Sequence, residues 1–351
     1  MLGRYCAAVA LMLAVMSTAA AGQTTSTNGA VPSATFKDKQ IRVVMSTGVA
    51  GGYAAYARLL TQYIGNYLPG NPTSFIVQSM PGGGGLRATN WLYVQGAKDG
   101  TTIGLIHSTA PLAPLYGAKG ALYDPRNFNW IGSMNSAPGL CVAWHDSPIK
   151  TWQDMLDKPF IVGSSGAGSQ MEVLPTMMNK YLGTRMKIIG GYQNGTDIFL
   201  AMERGELQGR CGGLVTVIQL THPDWFPEHK VAVPVQFAPK RNPMFPDSPT
   251  VMEFVKDPKA RQVFELAFAT QDMDRPFLLP PGVPEERVKD WRTAFAATMG
   301  DPAFKAEARK ENLDIDYISG ERIAEIIRNA YAMPEDVIAS ARELMGSSAA
   351  D

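Results

Sequence analysis

Short apolar segments alternate with amphipathic segments in the first third of the chain. Residues 41–45 form a β-branched run, and apolar residues then recur at helical spacing over 53–67. A second extended run at 74–80 is followed by a helical pattern at 86–94, and a third extended run covers 102–107. Apolar residues at every third or fourth position indicate a helix that buries one face, whereas short β-branched runs indicate strands. This order predicts a parallel sheet with helices on its faces.

The same alternation starts again near residue 140. Further strands are predicted at 140–144, 160–163, 186–189 and 231–237, and helices between them at 171–182 and 197–204. A last extended stretch at 276–279 precedes three charged helices at about 285–299, 302–312 and 320–345. Two sheets joined by short extended segments predict an α/β protein of two lobes, each a mainly parallel sheet with flanking helices. We assign 36–139 and 270–351 to lobe 1 and 140–269 to lobe 2.

The composition excludes several classes of protein. The 351 residues are 45% hydrophobic and 18% charged, a balance typical of a globular protein and not of a disordered chain. Lys and Arg together number 32, as do Asp and Glu, so the basic excess of a nucleic-acid-binding protein is missing. The length favours two domains over one.

The N-terminal region has the pattern of a secretory signal. Arg4 supplies one positive charge, an apolar run covers 7–16, and small residues and then a polar stretch at 23–33 follow. The run is too short to span a bilayer, which takes about 20 residues. Cys6 precedes the run, so a lipoprotein cleavage site does not fit. We expect residues 1–22 to be removed and the mature protein to be a soluble periplasmic protein, away from cytosolic ATP and NAD(P)H.

Glycine-rich loops follow four of the predicted strands, at 48–53, 81–85, 164–169 and 190–196. In an open parallel sheet the ligand crevice lies beyond the carboxyl ends of the strands, which is where these loops lie. Glycines let the backbone turn its N–H groups into a concavity, and helix N-termini add partial positive charge. Each loop alone could be a simple turn, but four in two lobes predict a site for a small anion that needs no arginine.

The candidate ligand-binding residues follow from these loops. In the first lobe they are Ala50, Gly51, Gly52, Tyr53, Gly82, Gly83, Gly84 and, after the third strand, Ser108. In the second lobe they are Ser164, Ser165, Gly166, Ser169, Gly195 and Thr196. Arg210, on a predicted second-lobe strand, either meets a ligand carboxylate or points outward.

Motifs for other chemistry are weaker. Gly83, Gly85 and Ala88 fit the dinucleotide fingerprint, but a run of four glycines meets that pattern by chance, and no acidic residue ends a strand about 20 residues later. Residues 163–167 lack the last glycine of a nucleophile elbow. The histidines show no metal-ligand spacing; they are His107, His145, His222 and His229. We therefore expect no cofactor, no metal and no catalytic residue.

Cys141 and Cys211 are the cysteines that remain after removal of the signal. Both fall on predicted second-lobe strands in an oxidising compartment, so we expect a disulfide. Two buried free thiols are the alternative.

The motifs along the chain resemble those of the extracytoplasmic solute receptors of tripartite tricarboxylate transporters, the Bug family. The matching residues run in family order over essentially the whole mature chain. They are Ile41-Arg-Val-Val with Gly51-Gly52 and Ala57-Arg-Leu-Leu60, Met80-Pro-Gly-Gly-Gly-Gly85, Lys98-Asp-Gly100, Tyr123-Asp-Pro125, Gly163-Ser-Ser-Gly-Ala-Gly168, Gly191-Tyr192 with the helix from Asp197, Phe245-Pro-Asp-Ser-Pro-Thr-Val251 and Leu279-Pro-Pro-Gly-Val-Pro284.

The resemblance implies two α/β lobes of the Venus-flytrap type, a cleft that closes on a small carboxylate, and delivery of that ligand to membrane permease subunits. Family members often hold the ligand through backbone amides, hydroxyls and water. This chain departs from the family pattern at Ala54 and Ala55, where an acidic residue is common, and at 209–213, where a hydrophobic residue and an acid are common.

The expected function is therefore binding of a small carboxylate solute by a monomer, without enzymatic activity. A secreted hydrolase with an unrecognised serine nucleophile is the alternative, and a surface interaction module is a third class. No nucleic-acid partner is expected.

Overall fold

The computed structural model describes residues 35–49, 51–136, 138–164, 169–192, 195–212 and 215–347. The signal predicted at 1–22 lies outside these residues.

Strands and helices alternate along the described chain. The strands are β1 (Gln40–Met45), β2 (Ser74–Ser79), β3 (Thr102–Leu105), β4 (Asn129–Ser133), β5 (Gly139–Trp144), β6 (Phe160–Gly163), β7 (Met186–Ile189), β8 (Gly209–Cys211), β9 (Val231–Phe237), β10 (Pro276–Leu279) and β11 (Ile318–Ser319). The helices are α1 (Gly52–Tyr63), α2 (Leu86–Gln95), α3 (Trp152–Asp157), α4 (Gln170–Leu182), α5 (Gly195–Glu203), α6 (Val215–Thr221), α7 (Pro258–Phe268), α8 (Glu285–Gly300), α9 (Pro302–Lys310), α10 (Gly320–Tyr331) and α11 (Glu335–Ser347). None of these helices is long and apolar enough to cross a membrane.

The strands form two sheets, which confirms the predicted α/β class. The first has the order β11-β4-β10-β3-β1-β2 and the second β7-β6-β8-β5-β9. Both sheets are mixed, where the sequence predicted mainly parallel ones. Strand β1 pairs in parallel with β2 and β3, but β10 is antiparallel to both β3 and β4. Strand β6 is parallel to β7 and β8, but β5 is antiparallel to β8 and β9.

The mixed pairing follows from how the chain crosses between the sheets. Residues 134–138 lead from β4 in the first sheet to β5 in the second, and 269–275 lead back to β10. The two crossovers are hydrogen-bonded to each other: the N–H of Asp274 donates to the carbonyl of Asn135 at 3.2 Å, and that of Met134 to the carbonyl of Arg275 at 3.3 Å. Strand β10 therefore starts at the edge of the sheet where β1 and β3 end.

Apolar clusters cover both faces of each sheet. Helix α1 buries one face, including Tyr56, Leu59 and Leu60, against β1, β3 and β10. Helix α10 buries Ile323 and Ile327, spaced by one helical turn, on the opposite face. Burial of such stripes is the main source of helix stability in a globular protein.

The C-terminal region does not form the single helix predicted over 320–345. Pro334 separates α10 from α11, because proline has no N–H to continue the first helix and restricts the residue before it. Helix α10 packs on the first sheet, whereas α11 buries Val337 and Leu344 in the cluster that covers the second sheet. The chain thus passes between the two sheets a third time.

Candidate functional site

The edge where β1 and β3 end is lined by glycine backbone. Gly51, with φ 85°, precedes α1, and Gly85, with φ 96°, precedes α2. Neither helix has a side chain that caps its N-terminus. The first N–H groups of a helix have no partner within the helix, so both termini present donors and partial positive charge.

The loop before α2 has a backbone that only glycine adopts readily. Gly82, Gly83 and Gly84 have φ values of 135°, 56° and 62°. A Cβ at Gly84 would meet nothing within 4 Å, so this backbone faces open space. At Gly85 a Cβ would lie 2.9 Å from the Cβ of His107, which excludes any larger residue there.

Tyr53, in the first turn of α1, holds the neighbouring groups in place. Its hydroxyl donates to the carbonyl of Asp274 at 3.1 Å and accepts from the N–H of Ser108 at 3.0 Å. The Arg275 Cζ lies 4.3 Å from the centroid of the Tyr53 ring, and the ring of His107 is stacked on it at 5.6 Å. The N–H of Ser108, a predicted ligand-binding residue, is therefore already used.

Arg275 and Asp274 form a buried ion pair at this edge, with side chains 7% and 16% exposed. Burial raises the pKa of Asp274, and the Arg275 charge opposes that rise. The Arg275 Nε has no partner in the described residues, and neither has the buried Ser46 Oγ at the end of β1.

Burial, together with the nearby charge of Arg275, lowers the pKa of His107 to about 4, so this histidine is neutral at neutral pH.

Sequence reasoning missed Ser46, His107, Asp274 and Arg275. The last predicted extended stretch, 276–279, begins directly after Arg275, and its direction in the sheet was not predicted. Only the antiparallel pairing of β10 brings the start of this strand to the same edge as the ends of β1 and β3. The signal that could have identified this edge was the arginine at position 275, directly before the last predicted strand.

In the second sheet, Ser164 follows β6 and is buried, and its hydroxyl lies 3.4 Å from that of Ser169, which precedes α4. Gly195 and Thr196 start α5, where Thr196 is exposed. The helices α4 and α5 thus begin at the carboxyl edge of β6 and β7, as the loop pattern predicts. Ala50, Ser165 and Gly166 lie outside the described residues.

Arg210 on β8 points toward the first turns of these two helices. Its residue exposure is 6%. Its Nη1 donates to the carbonyl of Gly195 at 3.3 Å and its Nε to the sulfur of Met171 at 3.1 Å. A Cβ at Gly195 would lie 2.3 Å from the Arg210 Nη1, so the guanidinium packs directly on glycine backbone. Burial lowers the pKa of Arg210 to about 9, and the group is still charged at neutral pH.

A disulfide joins Cys141 to Cys211. The two residues are directly opposite each other on the antiparallel strands β5 and β8. The bond therefore holds the strand that carries Arg210.

No group of three or more His, Cys, Asp or Glu side chains suited to a metal ion occurs among the described residues.

Comparisons with known proteins agree with this architecture. The family model described as "Tripartite tricarboxylate transporter family receptor" matches residues 70–342. No curated protein sequence matches the chain.

Three solved structures are similar to the chain in fold. A TctC solute binding protein from Polaromonas, without ligand, has a TM-score of 0.64 and 17% identity, covering 88% of this chain and 98% of that one. MatC from Rhodopseudomonas palustris, with bound malate, has a TM-score of 0.62 and 19% identity, covering 85% and 98%. The periplasmic binding protein BugD has a TM-score of 0.62 and 19% identity, covering 89% and 98%. These likenesses confirm the predicted two-lobe fold.

Proposed function

Because the chain belongs to the receptor family of the tripartite tricarboxylate transporters, we propose that it binds a small carboxylate between its two lobes and presents it to membrane permease subunits of that transporter type. The family and the matched structures are solute-binding proteins and not enzymes, so binding without turnover is the activity. The malate bound to MatC supports a carboxylate as the ligand.

We propose that the protein works in the periplasm as a monomer, with residues 1–22 acting as its export signal. Lobe 1 comprises 36–139 and 270–351, and lobe 2 comprises 140–269. Within this division, α11 belongs to lobe 1 but packs on the lobe 2 cluster, as do Leu112, Leu115 and Ala330. The crossovers at 134–138 and 269–275 form the base of the cleft.

One ligand carboxylate binds to the backbone of lobe 1. The amides of 50–53 and 82–84 are the donors in this proposal. It is supported by the uncapped start of α1 at Gly51 and by the left-handed backbone of 82–85, which lets successive N–H groups point the same way. This uncapped glycine backbone is the observation that carries the proposal.

The other end of the ligand binds to lobe 2. Its proposed partners are Ser164, Ser165, Gly166 and Ser169 with Gly195 and Thr196. Support comes from the position of Ser164 and Ser169 at the carboxyl edge of β6, and from the start of α5 beside them.

The energies of such contacts are sufficient for useful affinity. Hydrogen bonds to a charged acceptor contribute about 1.5–3 kcal/mol each, and each helix N-terminus adds about 0.3–1 kcal/mol. Two or three bonds from each lobe, less the cost of ordering, give about −8 kcal/mol, which is micromolar affinity.

Calorimetric titration with malate, followed by other mono-, di- and tricarboxylates and aromatic acids, tests the proposal. We expect Gly83→Val to abolish binding, because a side chain on this backbone would displace the amides from the ligand. Gly183→Val is the matched control. Gly183 also has a positive φ, of 73°, and has open space at its Cβ position, with nothing within 4 Å. It lies at the C-terminal end of α4 and not in the proposed binding loop.

Both variants should lose similar stability, because a branched residue is strained at either position. The control should bind as the wild type does. Normal binding by a folded Gly83→Val variant, or no binding of any carboxylate by the wild type, would contradict the proposal.

A further inference from the structure

Arg210 differs from the other buried arginines. Three arginines of the described residues are buried: Arg210, Arg275 and Arg287. Arg275 is paired with Asp274, and Arg287 has the carboxylate of Asp290 at 3.5 Å. Within the described chain no carboxylate is paired with Arg210, and none of the internal residues left undescribed is Asp or Glu.

The surroundings of the guanidinium do not compensate its charge. Among the described residues its acceptors are one carbonyl, of Gly195, and one sulfur, of Met171, for five N–H donors. Met171 is in the first turn of α4, and Gly195 is the first residue of α5. Helix N-termini carry partial positive charge, so both helices add to the positive potential at this point. A buried charge in such surroundings is expected to have a counter-ion.

The packing holds the guanidinium at a defined place. The Arg210 Cζ lies 4.8 Å from the centroid of the Phe199 ring, and the glycine at 195 leaves the space for Nη1. The disulfide on the adjacent Cys211 holds the strand. A planar guanidinium fixed in this way can bind both oxygens of one carboxylate.

Arg275, the buried arginine of lobe 1, is not available to a ligand in the way that Arg210 is. Asp274 neutralises Arg275, so the proposed lobe 1 site offers backbone amides and no net charge. The two lobes therefore supply one set of amides and one guanidinium without a carboxylate partner in the described chain.

We propose that Arg210 is the counter-ion for a second carboxylate of the ligand, so that the protein binds dicarboxylates in preference to monocarboxylates. This inference rests on the proposed carboxylate-binding function. Arg210 binds the end of the ligand that enters lobe 2, and the loop amides bind the other end. A ligand whose second end is neutral would leave the guanidinium unpaired, and one with a cationic second end would be repelled.

The first experiment uses the wild-type protein. Calorimetry compares succinate, glutarate and adipate with their monoamides, which keep one carboxylate and nearly the same shape. We expect the best dicarboxylate to bind at least ten-fold more tightly than its monoamide. Equal affinity for the two would overturn the inference while leaving the proposed function intact, and no binding of either class at any chain length would overturn both.

The second experiment uses Arg210→Gln and a control, Arg241→Gln, which removes an exposed arginine of the same lobe that pairs with Glu253. Arg210→Gln should weaken dicarboxylate binding about 10-fold to 100-fold, the range expected for loss of a charge-assisted pair, and should change monoamide binding less than 3-fold. Arg241→Gln should bind both as the wild type does. If the substitution only damages the site in general, Arg210→Gln should weaken the binding of the dicarboxylate and of its monoamide equally. That result would overturn the inference, and so would unchanged dicarboxylate binding.

If Arg210→Gln does not fold, Arg210→Lys replaces it. Lysine keeps the charge and loses the planar fork, so we expect a reduced preference for the dicarboxylate over its monoamide that is still above two-fold. Complete retention of the wild-type preference ratio would show that the guanidinium does not bind the ligand.

Discussion

Arg275 and Asp274 illustrate how single residues set the properties of the lobe 1 edge. The pair lies where the second crossover enters β10, and the guanidinium packs on the rings of Tyr53 and Tyr56 at 4.3 and 5.2 Å. A Cβ at Gly52 would lie 3.0 Å from the Arg275 Nη2, so a larger residue at the start of α1 would press on the guanidinium. The arginine thus supports the start of α1 and favours glycine there.

Asp274→Asn should destabilise the protein by about 3–5 kcal/mol, because it leaves a buried guanidinium without its counter-ion. Glu325→Gln breaks an exposed pair with Arg322 and should cost only about 0.3–0.5 kcal/mol. Denaturant unfolding of both variants measures the difference. Similar small losses in the two would mean that the buried pair contributes little to stability.

His107 should make stability depend on pH. Its pKa is about 4 in the folded protein because of burial and the nearby Arg275, against about 6.5 when unfolded. The unfolded chain therefore takes up a proton that the folded protein does not, and stability present above about pH 6.5 is lost as the pH falls towards 4. We expect about 2 kcal/mol, since one pKa unit is about 1.4 kcal/mol and the ring is only partly buried.

Urea unfolding of the wild type and His107→Gln at pH 7.5 and pH 4.5 isolates this contribution. The difference between the two pH values should be smaller in the variant, although carboxylates titrate in both proteins. An identical pH dependence in the two would show that the pKa of His107 is the same in the folded and unfolded states.

At the scale of elements, the disulfide connects the two strands in the middle of the second sheet. Strand β5 enters from the first crossover, and β8 lies between β5 and β6. Because side chains alternate along a strand, Cys211 and Arg210 point to opposite faces of β8. The bond is buried in the cluster on one face, while the guanidinium lies at the start of α5 on the other.

Replacing both Cys141 and Cys211 by alanine should destabilise the protein by about 4 kcal/mol in the chain-entropy model, because the bond closes a loop with a sequence separation of 70 residues. Thiol titration of the unfolded, unreduced protein, produced without residues 1–22, should find no reactive thiol. Two thiols per chain would contradict the bond.

At the scale of the whole molecule, three chain crossings connect the sheets. Two of them, at 134–138 and 269–275, are hydrogen-bonded to each other, and the third leads from α10 to α11. Contacts also bridge the two sheets elsewhere: Leu220 of α6 packs on the first-sheet cluster, and Gln170 donates to the Thr270 hydroxyl at 3.3 Å. Motion that opens the cleft has to break these contacts and bend the crossovers.

Small-angle X-ray scattering tests this motion. Saturating ligand, chosen by the calorimetric screen, should reduce the radius of gyration, because a ligand held by both lobes favours the closed arrangement. Gly83→Val in the presence of the same ligand should keep the radius of the ligand-free protein. An unchanged radius in the wild type with bound ligand would show that the lobes are fixed.

Much of the fold could be predicted from local patterns. The strands at 41–45, 74–80 and 160–163 follow from β-branched runs, and the positions of the glycine loops follow from their place after those runs. Loop chemistry could also be predicted, because glycine readily adopts the positive φ values that a backbone-lined turn requires.

Neighbouring residues and motif order were sufficient to predict the class of fold, the family, the glycine loops and the pairing candidates Cys141 and Cys211. The antiparallel direction of β10, the packing of α11 on the second sheet and the environments of Arg210 and Arg275 became known from the folded structure alone. Strand direction, burial and counter-ions depend on contacts between residues far apart in the chain, and no local pattern encodes them. The sequence could place Arg210 on a strand. Its charge became evidence for a ligand only when the structure showed that no carboxylate of the described residues lies beside it.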